Sequence, residues 1–139
     1  MTMEFLQALV AFFAANGVLP AEVTPSDTNR EKTYLQNMPE EPHKAYCVRI
    51  YDADLPTLVD KQAGVFRVQV LMRNKKHAPV MADAYKLWRF LINRPELVED
   101  ISPEYWAIFD VRQGPNPLGQ DEKGNYLYSL NIPIKTKMF

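Results

Sequence analysis

PLGQDEKGNYLYSLNIPIKTKMF (residues 117–139) joins a charged turn to a run that alternates almost to its last residue. Lys123, Gly124 and Asn125 can take the positive φ values that a tight hairpin turn demands, so the chain is expected to reverse there. Beyond the turn, Tyr126, Tyr128, Leu130, Ile132 and Ile134 share one face, and Leu127, Ser129, Asn131 and Lys135 share the other. Extended throughout, such a strand has about 12 residues, roughly twice the usual length. Pro133 removes one donor from its ladder, so the segment beyond is expected on an edge, bent away, or paired on one side only. An edge ending in KTKMF has to be managed. Either the two lysines deter edge-to-edge aggregation, or residues 134–139 are a C-terminal arm that pairs with a partner chain.

Working outward, VFRVQVLMR (65–73) is the clearest half-buried strand: Phe66, Val68, Val70 and Met72 alternate with Arg67, Gln69, Leu71 and Arg73. AYCVRIYD (45–52) has strand propensity throughout, with Tyr46, Val48 and Ile50 on one face and Cys47, Arg49 and Tyr51 on the other. TYLQNM (33–38) is a short strand stopped by Pro39, and YWAIFDVR (105–112) is another, broken by GPNPLG. Between them Pro79 opens a helix that carries Val80, Ala84, Leu87, Trp88 and Leu91 on one face and ends near Asn93, ahead of Pro95. ELVEDISPEY (96–105) is expected to add one helical turn. At the other end of the chain, Thr2 caps a helix over 3–16 that Gly17 stops. Its apolar groups exceed a single stripe, which predicts broad burial in the core, with an edge offered to a neighbouring subunit as the alternative. The order α, three strands, α, two or three strands predicts an α+β fold, a mainly antiparallel sheet with both helices on one face and the other face open.

The chain has 139 residues, which suits one domain over 1–139. A net charge of −1 removes the usual argument for a nucleic-acid or membrane-surface protein. The apolar N-terminal run lacks a basic flank, carries Glu4 and Gln7, and is too short for the roughly 20 residues a bilayer needs, so a soluble protein is expected. Cys47 is the single cysteine, which excludes an internal disulfide and cysteine-pair metal frameworks and fits a reducing cytoplasm.

Catalytic grammar is absent. His43 and His77 have no metal-ligand spacing to each other or to Cys47, and the carboxylate pairs in PEEP and VED sit in polar turns. With five glycines there is no phosphate-cradling loop and no nucleophile elbow. No catalytic residue, cofactor or metal is therefore assigned. Arg67 and Arg73, with Leu71 between them, mark the outer sheet face, a composition closer to a protein interface than to an enzyme cleft. Lys75 and Lys76 add the one local charge excess, in the turn before the second helix.

The order FLQALVAFFAANG, YLQNMPEEPHKAYCVRIYD, FRVQVLMRNKKHAPVMADAYKLWRFLIN and PLGQDEKGNYLYSLNI resembles the small bacteriophage minor capsid or tail-completion proteins related to the tail terminators of long-tailed phages. The resemblance covers about 3–134. It implies a structural virion subunit with no enzymatic activity, forming a homo-oligomeric ring, a hexamer, at the head-proximal end of the tail tube. Such a ring would stop tube polymerisation, offer a docking surface to the neck or head-completion protein, and let DNA pass through its lumen without specific binding. It would assemble in the host bacterial cytoplasm and reside in the virion, with no membrane contact. The residues assigned to assembly on this basis are Arg67, Leu71 and Arg73, Lys75 and Lys76, and Lys135, Lys137 and Phe139 in the arm. The alternatives are a head-completion or neck connector component, a cytoplasmic protein-binding module using the same open face, and a small enzyme.

Overall fold

The computed structural model describes residues 2–54, 63–94 and 98–137. In chain order its elements are α1 (Thr2–Ala15), β1 (Thr33–Leu35), β2 (Ala45–Asp54), β3 (Ala63–Asn74), α2 (His77–Ile92), β4 (Val98–Asp100), β5 (Trp106–Phe109), β6 (Asn116–Gln120) and β7 (Tyr126–Lys137). The strands form one sheet in the order β1-β2-β3-β7-β5-β4, with β6 also paired to β7. The fold is α+β. β1 runs parallel to β2 and every other strand pairing is antiparallel, so the sheet is mainly antiparallel as expected, and mixed through that one pair.

The alternating run that forms β7 lies in the middle of this sheet. β3 pairs with β7 along its whole length, from Asn74↔Tyr126 to Ala63↔Lys137. The opposite side of β7 is shared: β6 takes Tyr126–Ser129 and β5 takes Ile134–Thr136. Pro133 sits beside the handover. Its carbonyl accepts the Asp110 N–H at 2.9 Å. In an antiparallel ladder a residue's N–H and C=O serve the same neighbour, so the donor Pro133 lacks is missing on the β5–β6 side and not from the β3 ladder. A proline is thus accommodated inside a central strand. The expected arm is corrected accordingly: residues 134–137 are held on both sides within the sheet, Ile134 and Thr136 are fully buried, and Thr136 Oγ1 donates to the Trp106 carbonyl at 2.6 Å. Met138 and Phe139 lie outside the described residues.

Both helices cover the face carrying Phe66, Val68, Val70 and Met72 from β3 and Tyr128, Leu130, Ile132 and Ile134 from β7. From α1, Phe5, Leu6, Leu9, Val10 and Phe13 are fully buried, the broad burial expected of a core helix. Phe5 meets Phe66 at 5.0 Å between ring centroids, and Phe13 meets Phe109 at 6.0 Å and Phe90 of α2 at 6.3 Å. These tilted and edge-on pairs tie α1 to β3, β5 and α2. Gly17, at φ +70°, ends α1, with the Val18 N–H returning to the Phe13 carbonyl at 3.1 Å. α2 starts at His77, two residues ahead of expectation. Pro79 still falls in the first turn, where a missing N–H breaks no helical bond. Other strands also differ from expectation. Residues 98–100 form β4 and not a helical turn, and β2 and β3 extend beyond 52 and before 65.

Candidate assembly interface

Register fixes what the uncovered sheet face carries. Across the three central strands Arg49, Gln69 and Asn131 are in line. The Arg49 guanidinium donates from Nε to Gln69 Oε1 at 2.8 Å, and Gln69 Nε2 donates to Asn131 Oδ1 at 3.2 Å. In the next row Arg67 Nη1 meets Asp52 Oδ2 at 3.3 Å, beside Pro133. A further row runs Val65, Lys135, Ile108, Val98 across β3, β7, β5 and β4. Val98 is 63% exposed. Two shallow recesses of ≈ 290 and ≈ 330 Å³ share Arg112 and Pro133 on this face. Arg112 is tied to Asp110 at 2.8 Å, and that carboxylate's hydrogen bond raises the guanidinium pKa further.

The residues expected at the interface separate into groups. Arg67, Leu71 and Lys135 do lie on this face, Arg67 and Leu71 half-buried and Lys135 exposed. Lys75 and Lys76 are exposed in the turn before α2. Lys137 ends β7 opposite Ala63. Arg73 is a correction. It is 7% exposed, and its guanidinium donates to the carbonyls of Pro42 at 2.6 Å, His43 at 3.0 Å and Glu40 at 3.3 Å. It pins the 40–43 turn against the end of β3 and is buried, not exposed on the outer face as expected. Phe139 lies outside the described residues.

Cys47 also points to this face by strand parity, yet it is fully buried, flanked in register by Tyr34 and Leu71. Burial pushes its thiol up to about 11, against which nearby Arg49 acts only weakly. It is a packed thiol and not a nucleophile. Tyr46, on the helix side of β2, donates to Asp83 Oδ2 of α2 at 2.6 Å, and burial followed by that bond raises its phenol pKa.

One surface escaped the sequence analysis. Met81, Tyr85, Trp88 and Ile92 recur at i, i+4, i+7 and i+11 along α2, a stripe beside the buried set Val80, Ala84, Leu87 and Leu91. Trp88 is half-buried, near Gly114, and Tyr85 packs on it edge-on at 5.9 Å. Met81, Tyr85 and Ile92 remain 39, 38 and 37% exposed. The spacing was legible; that it continues past the core-facing stripe was the signal.

A face with interlocked polar rows and an apolar corner has the composition of a protein contact surface. Comparison with known families agrees: residues 14–137 match the bacteriophage tail terminator proteins. The chain belongs to this family. It is thus a structural protein of the phage tail and a component of the virion, in a family of structural proteins rather than enzymes. No curated protein matches the chain. Among the described residues no helix is long and apolar enough to cross a membrane.

Proposed function

We propose that this tail terminator closes into a ring of copies, six by the family resemblance, at the head-proximal end of a long-tailed phage's tail tube. The ring ends tube growth and presents the surface on which the neck or head-completion protein docks. DNA passes through its lumen without sequence-specific contact, and assembly takes place in the host bacterial cytoplasm. The observation that carries this reading is the family match over nearly the whole chain. The fold supports it, since a sheet covered by helices on one face alone leaves two chemically different sides, which suits heterologous contacts that close into rings when the rotation permits.

The test is the mass of the purified protein by light scattering over a concentration series, alone and with the tail tube protein of the same phage. A closed oligomer, formed alone or on the tube end, together with tubes of arrested length, is the expected result. A protein that stays monomeric and leaves tube growth unchanged overturns the reading.

A further inference from the structure

The solvent-facing side of α2 and the turn before it carry Lys75, Lys76, Lys86 and Arg89, all exposed. None of the four makes an ion pair among the described residues. The helix's one acid, Asp83, is turned inward to Tyr46. Beside Lys86 and Arg89 runs the half-exposed stripe of Met81, Tyr85 and Ile92. Methionine, tyrosine and arginine around an apolar centre are the composition of a protein interface, whereas a phosphate-binding helix needs no such stripe.

The complement lies on the same molecule, at the opposite side of the sheet. In β4, Glu99 faces the helix layer and pairs with Arg94 at 3.1 Å, so its neighbours Val98 and Asp100 point to the uncovered face. Val98 is the most exposed large apolar side chain described; Asp100, on the same face, is exposed, and so is Glu104 in the turn that follows β4. Asp100 has no ion-pair partner among the described residues. The sheet edge here is open as well. β1 is partly covered by its bonds to Ala21 and Val23, and β6 carries Pro117 and a bulge before Gly119, whereas among the described residues no backbone bond covers the outer edge of β4.

We infer that successive copies of this chain meet heterologously, with the Met81–Tyr85–Ile92 stripe of one copy against Val98 of the next, and Lys86 and Arg89 against Asp100 and Glu104. This rests on the ring reading and deepens it. Because one patch is on the helix layer and the other on the sheet face away from the helices, each contact leaves one unlike patch free on each copy for the next.

Charge reversal tests it. Lys86→Glu with Arg89→Glu makes one double variant, and Asp100→Lys with Glu104→Lys makes the other. Each alone is expected to lose assembly by at least tenfold in the concentration required, while an equimolar mixture, in which every contact again pairs opposite charges, recovers the wild-type oligomer. Circular dichroism confirms folding of each. If either double variant is misfolded, Arg89→Cys with Asp100→Cys in one chain replaces it, and an oxidation-dependent ladder of cross-linked oligomers is then the expected result, its absence the overturning one. Variants that assemble as the wild type does overturn this interface and leave the ring reading standing. Loss without recovery on mixing overturns the pairing. A wild type that is monomeric throughout overturns both readings together. Retention of duplex DNA that depends on Lys86 and Arg89, with assembly unaffected by their reversal, assigns α2 to nucleic acid instead.

Discussion

Arg73 shows how far a single side chain can depart from what strand parity implies. Parity puts its Cβ on the outward face with Arg67 and Leu71, but the long stem carries the guanidinium over the end of β3 to three carbonyls of the 40–43 turn. Those carbonyls depend on it. Arg73→Ala is expected to destabilise the fold by about 2–4 kcal/mol, since bonds to a charged donor are each worth more than neutral ones and their loss leaves carbonyls unpaired. Arg73→Lys should recover little of this, because an ammonium cannot reproduce the planar fork. Urea denaturation of the three proteins decides it, and a loss below about 0.5 kcal/mol, the ordinary surface value, would show the contacts to be incidental. Cys47 offers a second check. With its thiol at about 11, little thiolate exists at pH 8, and the group is fully buried. Iodoacetamide at pH 8 should leave the folded protein unmodified and alkylate it fully in urea; fast modification of the folded state would place Cys47 nearer the surface.

At the scale of elements, β7 decides the architecture, and its second half departs most from expectation. Deleting residues 134–139 removes Ile134 and Thr136 from the core and cuts β5, with β4 beyond it, from the rest of the sheet. A truncated chain should therefore lose its folded circular dichroism signal and its cooperative melt, not persist as an assembly-deficient monomer. A cooperative melt retained after truncation would return these residues to the role of an arm. The strands with strong alternation, β2, β3 and β7, were legible, as were both helices, because a buried face imposes its period on the sequence. β4 and β6 were not read as strands in their own right. They have three and five residues and carry mostly exposed side chains, so no buried face writes a period into them. The parallel direction of β1 was equally hidden, since alternation is the same in either direction. On the uncovered face, Arg67, Leu71 and Lys135 could be placed by parity alone. Val98 and Asp100 could not, because their side is set by the pairing of β4 with β5.

At the scale of the whole molecule, a net charge of −1 conceals an arrangement in which cations that make no ion pair among the described residues collect along α2 and exposed acids stand at and after β4. If copies meet through these patches, the contact combines an apolar centre, which salt does not screen, with a charged rim, which it does. The screening length falls from about 10 Å at 0.1 M salt to about 3 Å at 1 M, so raising salt across that range should weaken assembly several-fold without abolishing it. Lys86→Gln with Arg89→Gln removes the cations while keeping the stripe. That variant should assemble more weakly than the wild type at 0.1 M salt and show a flatter dependence above it, the two curves converging as the wild-type charges are screened. Sedimentation velocity at matched protein concentrations measures both curves. Assembly that strengthens with salt in the wild type and is unchanged in the variant would mean that apolar burial alone joins the copies, and would move the contact away from Lys86 and Arg89 to surfaces where charge has no part.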